Sequence, residues 1–334
     1  MTGQRILLLR FSSLGDCILV SGLVEKLHRE HPDAELALAI KKTFAGLYEN
    51  DPRIAMIVFD DQGEHRGLIG LLRYARTVRR WHPALIIDLH GTLRAALLHL
   101  LLPRHHWRRL RKSNWRRRWS LISRRFPTPV HVTSRFAAGW SGRLPEQEPA
   151  LPPRLQVSPA SATRSGVLLI PGAAWPSKQW PIAYFADLAE RLLSDGQAVT
   201  ILGGSAEQGF AGHFATLQSR YPTQLAVEFG NLPFPELRTR IATFAVAVAN
   251  DTGLMHLADA VGVPVIAMYG PTSPVLGFTP QGIRSQVVHL GLACSPCTLH
   301  GQRACPRGHH RCLRDLSVTQ IHQAVLAILY ERFP

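Results

Sequence analysis

Residues 166–202, GVLLIPGAAWPSKQWPIAYFADLAERLLSDGQAVTIL, decide the fold. The apolar run 166–170 predicts a buried strand, residues 182–194 have the apolar spacing of an amphipathic helix, and residues 198–202 predict a second strand. A strand, a helix and a strand in succession are typical of a parallel sheet covered by helices.

The same alternation continues in both directions from this stretch. The sequence predicts further strands at 6–11, 35–40, 54–59, 84–89, 245–249 and 265–269, and further helices at 17–31, 68–80, 235–243, 254–261 and 318–332. Residues 144–160 contain five prolines and no periodicity, which is typical of a linker. We therefore predict an α/β protein of the doubly wound type, with an N-terminal domain at 1–150 and a C-terminal domain at 151–334. The last helix is a candidate to pack back on the N-terminal domain.

Length and composition agree with this organisation. A chain of 334 residues corresponds to about two domains of ~150 residues, and 46% hydrophobic residues are enough for a sizeable core. The longest apolar run, 95–102, is far shorter than the ~20 residues of a bilayer span. Because the N-terminus has no long apolar segment of the signal-peptide type, we expect a cytoplasmic protein with reduced thiols.

The positive charge of the chain is concentrated in one place. The formal net charge is +15, and residues 104–125 contain ten Lys or Arg residues with no Asp or Glu. So dense a basic stretch predicts an anionic partner, which by charge alone is nucleic acid, acidic lipid or a phosphorylated glycan.

The first of three candidate loops is 10–16, RFSSLGD, between a predicted strand and a predicted helix. Asp16 either caps the helix or offers a carboxylate at the mouth of the cleft. The loop has no GxGxxG pattern, so the sequence does not indicate a dinucleotide site.

The second loop is 171–181, PGAAWPSKQWP, which again joins a strand to a helix. Its Lys178 is one of five lysines in the chain and lies beside a helix N-terminus, a position that suits a phosphate group. A solvated surface lysine is the alternative. Gly203 ends another strand of the same sheet and allows the backbone to approach a ligand closely.

The third loop is 250–256, NDTGLMH. Asp251 or Thr252 caps the following helix, and the amides of Thr252 and Gly253 form a ready anion site. His256 lies one turn into the helix, where it is either part of this site or a packed core residue. Together the loops predict an apparatus that moves a group from a nucleotide diphosphate onto a hydroxyl.

Two other classes of function are compatible with these residues. One is a nucleotide-sugar epimerase of the same architecture, which needs no separate acceptor. The other is a basic nucleic-acid-binding protein in which Trp107, Trp115 and Trp119 stack on bases and the late cysteines form a metal module.

Taken in order, the loops at 12–16, 171–181 and 250–256, followed by YGPT at 269–272, resemble the bacterial heptosyltransferases of glycosyltransferase family 9. The resemblance extends over nearly the whole chain. It implies a GT-B fold, with two Rossmann-like domains facing a central cleft. It also implies an ADP-heptose donor bound by the C-terminal domain, a lipopolysaccharide core acceptor bound by the N-terminal domain, and inverting transfer without a catalytic metal.

The resemblance also implies roles for individual residues. Asp16 matches the general base of the family, and Lys178 matches the lysine that contacts the donor phosphates. The donor-binding segment of the family is matched by Asp251, Thr252, Gly253 and His256. No nucleic-acid partner is expected on this basis.

The basic stretch departs from the pattern of the family. We predict that it binds the phosphorylated acceptor or the anionic surface of the inner membrane, with the protein peripheral to the cytoplasmic face. The residues assigned to this contact are Arg108, Arg109, Arg111, Arg116, Arg117 and Arg118.

Four of the five cysteines lie close together near the C-terminus, as Cys294-x2-Cys297-x7-Cys305-x6-Cys312. A Cys-x2-Cys pair is a common half of a tetrahedral thiolate site, so a structural zinc or iron ion is one interpretation. Free buried thiols and disulfides are the alternatives, and disulfides are disfavoured in a reducing compartment.

Overall fold

The computed structural model describes residues 3–110, 114–126, 128–157 and 163–330. The chain divides into two compact units, the first formed by Met1–Ser113 and Val130–Gln156 and the second by Asn114–Pro129 and Val157–Pro334. Residues 114–129 therefore belong to the second unit, although the sequence analysis places them within the N-terminal domain.

The first unit is built on a five-stranded parallel sheet with the strand order β3-β2-β1-β4-β5. Its strands are β1 (Arg5–Leu9), β2 (Glu35–Lys41), β3 (Ala55–Phe59), β4 (Leu85–Asp88) and β5 (His106–Arg109). The central strands are almost continuously apolar because both faces of a parallel sheet are covered.

The second unit is built on a six-stranded parallel sheet with the order β11-β10-β9-β6-β7-β8. Its strands are β6 (Val167–Ile170), β7 (Val199–Gly203), β8 (Leu225–Phe229), β9 (Val246–Asn250), β10 (Val265–Tyr269) and β11 (Gln286–His289). In each sheet the strand order reverses beside the first strand of the unit. Doubly wound sheets bind ligands at this point, outside the carboxyl ends of the strands.

The helices connect these strands. In chain order they are α1 (Leu14–Glu30), α2 (Lys42–Ala45), α3 (Gly67–Arg80), α4 (Leu93–Leu101), α5 (Asn114–Ser123), α6 (Val132–Ser141), α7 (Ile182–Ser194), α8 (Ala215–Arg220), α9 (Phe234–Ala242), α10 (Gly253–Ala260), α11 (Arg311–Arg314) and α12 (Val318–Tyr330). Within the described residues, no helix has both the length and the apolar character needed to cross a membrane.

Each unit has its own core. In the first unit, Leu7 and Leu9 of β1 pack with Tyr74 and Val78 of α3. In the second unit, the apolar face of α12 packs with that of α7 over the sheet. The last helix thus packs on the sheet of its own unit, and packing back on the N-terminal domain stays a prediction.

Candidate active site

Asp16 lies in the first turn of α1, directly beyond the carboxyl end of β1. The backbone N–H and the hydroxyl of Ser13 donate to Asp16 Oδ2 at 3.4 and 3.0 Å. The guanidinium of Arg10 forms an ion pair with the same oxygen. Asp16 is therefore the third residue of α1, where it accepts hydrogen bonds from the N-cap residue Ser13, and one half of a sheltered ion pair, with 14% of its side chain exposed.

The charge of this carboxylate is stabilised by its surroundings. Burial raises the pKa of Asp16, but the nearby Arg10 guanidinium and the hydrogen bonds from Ser13 outweigh burial, so the pKa lies below its usual value. Arg10 is itself held in place, because it donates to the carbonyl of Leu89 at 2.6 Å and lies over the ring of Phe136.

Only one oxygen of Asp16 is used by these contacts. All of them end on Oδ2, and no hydrogen bond within the described residues ends on Oδ1. An ionised, immobilised carboxylate with one open oxygen is able to accept a proton from a ligand hydroxyl.

Lys178 and Asp251 come together at the carboxyl edge of the second sheet. Lys178 ends a short 3-10 helix, Pro176–Lys178, and its Nζ lies 2.7 Å from Asp251 Oδ2. The hydroxyl of Thr272 donates to the same oxygen at 2.7 Å. The two charged side chains are only 13% and 12% exposed, so Lys178 is not a solvated surface lysine.

Asn250 fixes the loop that carries Lys178. Its side-chain carbonyl accepts from the Trp180 backbone N–H at 2.9 Å, and its amide donates to the carbonyl of Pro171 at 2.8 Å. Because Asn250 is fully buried at the end of β9, both ends of the 171–181 loop are tied to that strand. The sequence analysis missed this role, since no spacing rule pairs residues 70 positions apart.

The N-terminus of α10 follows this ion pair in the chain. Thr252 is the N-cap of α10 and has extended backbone angles, so the helix begins at Gly253. The first N–H groups of a helix have no partner within it, and here they lie directly after Asp251 in the chain. Lys178 has further N–H donors besides the one directed at Asp251, so the ammonium and these amides are both able to donate to an anionic ligand. His256 is buried within α10.

Glu207 is a second carboxylate at this edge that the sequence analysis missed. Its Oε2 accepts from the backbone N–H of Gly204 at 2.8 Å, just beyond the end of β7. A Cβ atom built on Gly172 would lie 2.6 Å from Glu207 Oε1, and one built on Gly203 would lie 3.1 Å from its Cβ. Glycine at both positions lets this carboxylate lie over the strand ends, where it is able to accept hydrogen bonds from ligand hydroxyls.

The residues of the basic stretch 104–125 differ in their surroundings. Arg108 in β5 donates to the carbonyl of Trp140 and lies over that ring, whereas Arg109 is exposed without an ion-pair partner among the described residues. Trp119 and Ile122 of α5 are both exposed. Arg111 and the side chains of Arg116, Arg117 and Arg118 lie outside the described part of the structure.

The four late cysteines line one cavity and are free thiols. Burial, followed by the charges of the three other cysteines, raises the pKa of Cys312 to about 12. Burial also raises the pKa of Cys305, but backbone N–H groups directed at its sulfur outweigh it and the net pKa is lowered. Within the described residues, no three His, Cys, Asp or Glu side chains are already gathered around one metal position.

The cysteine segment packs on the loop that carries Lys178. The hydroxyl of Ser177 donates to the carbonyl of Gly301, and the Ser177 carbonyl lies 2.6 Å from Nε2 of His310. Gly301 leaves room for the Lys178 side chain, because a Cβ there would lie 2.5 Å from Lys178 Cδ. The two loops therefore support each other.

Two Rossmann-like units, each with charged side chains at the carboxyl edge of its parallel sheet, are the architecture of many enzymes that transfer a glycosyl group. Residues 71–306 match the model of glycosyltransferase family 9 (heptosyltransferase), and the chain belongs to this family. The family resemblance drawn from the three loops and the prediction of a glycosyltransferase are confirmed.

Individual relatives agree with this assignment. Lipopolysaccharide heptosyltransferase 1 of Pseudomonas aeruginosa is 29% identical to this chain, with 95% of this chain and 92% of the relative covered. The structure of E. coli ADP-heptose LPS heptosyltransferase II superposes with a TM-score of 0.74 at 23% identity and covers 98% of both chains. The iron-containing dodecameric glycosyltransferase TibC from enterotoxigenic E. coli superposes with a TM-score of 0.59 at 17% identity, covering 98% of this chain and 76% of TibC. The predicted GT-B class of fold is confirmed.

Proposed function

We propose that the protein is an inverting heptosyltransferase that moves a heptose from ADP-heptose to a hydroxyl of the lipopolysaccharide inner core. The observation that carries the proposal is the largely buried Lys178 ammonium, which lies beside the N-terminus of α10 at a Rossmann-type sheet edge. This arrangement suits a diphosphate, and the names of the relatives supply the donor sugar and the acceptor class.

In the proposed reaction, Asp16 Oδ1 accepts the proton of the acceptor hydroxyl while that oxygen attacks the anomeric carbon of the heptose. The bond from the anomeric carbon to the phosphate oxygen breaks, and its electron pair leaves with ADP. Attack from the face opposite the leaving group inverts the anomeric centre. The low pKa of Asp16 is compatible with this role when the proton moves late, after the glycosidic bond has largely broken in an oxocarbenium-like transition state.

The donor-side residues stabilise the charge that develops on departing ADP. Lys178 and the amides of Thr252 and Gly253 are fixed before the reaction, so they need little reorganisation. Donors arranged in this way each contribute ~3–4 kcal/mol to transition-state stabilisation. Asp251 keeps the ammonium in place, and Gly203 leaves space for the ligand at the end of β7.

The acceptor is lipid-linked, so we place the reaction at the cytoplasmic face of the inner membrane. The support for membrane contact is the run of arginines in residues 104–125 together with the exposed Trp119 and Ile122 of α5. Arginines reach lipid phosphates while apolar side chains enter the headgroup region.

We also propose that Cys294, Cys297, Cys305 and Cys312 hold a structural zinc or iron ion. Their position around one cavity supports this, and TibC, described as iron-containing, shares the fold. Binding would draw the four sulfurs from the cavity wall to a common point as thiolates. Protein purified without a histidine tag should contain about one metal ion per chain, and Cys294→Ser should lose it. Less than a tenth of a metal ion per chain would contradict this.

The activity is tested by incubating the purified protein with ADP-heptose and core lipopolysaccharide from cells that lack heptose. Mass spectrometry should show an acceptor heavier by one heptosyl unit and an equal amount of released ADP. An epimerised sugar nucleotide formed without acceptor would indicate the epimerase instead. Tight binding of nucleic acid with no turnover of any sugar nucleotide would indicate the binding protein.

A further inference from the structure

Helix α3 has an apolar side that faces solvent. Leu71, Tyr74 and Val78 point into the core of the first unit, as expected of an amphipathic helix. On the opposite side, Leu68 and Ile69 are 71% and 68% exposed, and Leu72 is exposed as well. Three neighbouring large apolar side chains left in water on one helix face require an explanation other than folding.

The same side of α3 is strongly basic. Arg73, Arg76, Arg79 and Arg80 are exposed, and the helix contains no Asp or Glu. In the preceding loop, Asp60 and Asp61 form ion pairs with Lys42 and Lys41 respectively, and Glu64 is exposed beside His65. The outer side of α3 therefore has an apolar N-terminal half and a cationic C-terminal half.

Helix α4 extends this surface. It packs beside α3, and the guanidinium of Arg79 donates to the carbonyl of Leu101 at its end. Leu93 and Leu100 of α4 are both exposed. We call the exposed sides of the two helices the α3–α4 face. Its five exposed leucine or isoleucine side chains are Leu68, Ile69, Leu72, Leu93 and Leu100.

We propose that the α3–α4 face docks on the surface of an anionic lipid bilayer. Apolar side chains flanked by arginines, with few acids nearby, are the combination that inserts at the headgroup level and binds lipid phosphates. A second copy of the chain is a poor occupant, because pairing this face with itself would oppose two sets of arginines. The surface is distinct from the 104–125 stretch, and it deepens the membrane association proposed above.

The position of the face in its unit is consistent with a lipid-linked acceptor. In a parallel sheet the connecting helices begin at the carboxyl ends of the strands, so α1, α3 and α4 all begin at one edge of the first sheet. Asp16 lies at this edge, and so do the exposed Leu68, Ile69 and Leu93. A bilayer bound to the α3–α4 face would therefore lie near the edge at which we expect the acceptor hydroxyl to be activated.

The test is flotation of the full-length protein with vesicles of phosphatidylcholine containing 30% phosphatidylglycerol, and with phosphatidylcholine alone. The double variant Arg73→Gln/Arg76→Gln should bind the anionic vesicles about 25-fold more weakly, at about fivefold per charge. The triple variant Leu68→Gln/Ile69→Gln/Leu72→Gln should lower binding at least tenfold. The matched control is Ile283→Gln, an isolated and fully exposed isoleucine of the second unit, which should change nothing.

Activity separates this inference from the proposed function. The α3 variants should transfer heptose normally to a short, lipid-free core oligosaccharide and slowly to acceptor embedded in vesicles. If the wild-type protein transferred heptose to neither acceptor, the proposed function would be refuted. Vesicle binding is measured separately, so it would still test the docking proposal.

Several results would overturn the docking proposal. One is vesicle binding by the triple variant that equals that of Ile283→Gln. Another is a loss of binding only in an Arg108→Gln/Arg109→Gln variant, which would assign the membrane contact to the basic stretch alone. A third is a wild-type dimer, seen by sedimentation, that the triple variant dissociates without any change in vesicle binding.

Discussion

Replacing Lys178 by methionine tests the donor site directly. The ammonium lies 2.7 Å from Asp251 Oδ2, and both side chains are nearly buried. Methionine keeps much of the volume that packs on Gly301 but removes the charge, so the change is chemical more than steric. Two effects are expected: weaker binding of ADP, and a buried carboxylate without its cation.

The magnitudes follow from these contacts. A charge-assisted contact to phosphate contributes ~1.5–3 kcal/mol, so the Kd for ADP should rise about 10- to 150-fold. Breaking a buried ion pair costs ~3–5 kcal/mol of unfolding free energy. Here the Thr272 hydroxyl still donates to Asp251, and about an eighth of each side chain is exposed, so we expect ~2–3 kcal/mol. The double variant Lys178→Met/Asp251→Asn should recover most of this stability, because it removes the unpaired charge, but it should not recover ADP binding.

The assays are calorimetric titration with ADP and chemical denaturation. Lys178→Arg is the charge-conserving control, and it should lose less ADP affinity than methionine does. Affinity for the acceptor should stay within about twofold in all variants. If Lys178→Met leaves both the ADP affinity and the turnover unchanged, the assignment of Lys178 to the donor site is refuted. The Lys178–Asp251 pair would then be a purely structural contact.

Four further outcomes are expected. Asp16→Asn should keep the fold, since the amide oxygen of asparagine is still able to accept from the N-cap Ser13, and should lower kcat by about 100- to 10,000-fold; retention of a tenth of the wild-type rate would contradict a base at this position. Arg10→Met should raise the pKa of Asp16, because burial is then opposed only by the hydrogen bonds from Ser13, so the acidic limb of the pH–rate profile should move to higher pH, whereas Arg10→Lys should largely preserve it. The contribution of ionised Asp16 to the unfolding free energy of the wild type should be present at neutral pH. It should be lost as the pH falls through the lowered pKa of Asp16. Cys294→Ser should weaken ADP binding as well as metal binding, because its segment packs on the Lys178 loop; full metal loss with unchanged ADP affinity would separate the two.

The central strands were predictable because each is a nearly continuous apolar run between turn signals. Two of the edge strands, β5 and β11, were not predictable in the same way. The sequences of β5, HWRR, and β11, QVVH, are less apolar than those of the central strands, because a strand at the edge of a sheet has fewer neighbours and needs less apolar surface. The sequence analysis interpreted the 104–125 stretch mainly by charge, and so it did not predict β5.

The loops of the candidate site were predictable for a related reason. Each follows an apolar strand and precedes a helix, so its position at the carboxyl edge follows from the fold class alone. The contacts that fix its side chains depend on the fold in three dimensions. Asn250 bonds to Pro171 and Trp180, and Thr272 bonds to Asp251, over separations that no local pattern encodes. Glu207 was missed because its loop carries no motif and its role depends on two glycines that it approaches in space.

Asp16 shows why a structural and a functional interpretation of one residue need not exclude each other. A carboxylate has two oxygens, and here the helix cap and the Arg10 ion pair both use Oδ2. These contacts fix the orientation of the group and keep it ionised, which a base requires before any ligand arrives. The same contacts leave Oδ1 without a hydrogen bond from the described residues, so capping prepares the carboxylate for proton transfer instead of competing with it. A measured loss of stability in an Asp16 variant would therefore not count against its catalytic role, and the decisive quantity is the turnover of a variant that keeps the cap.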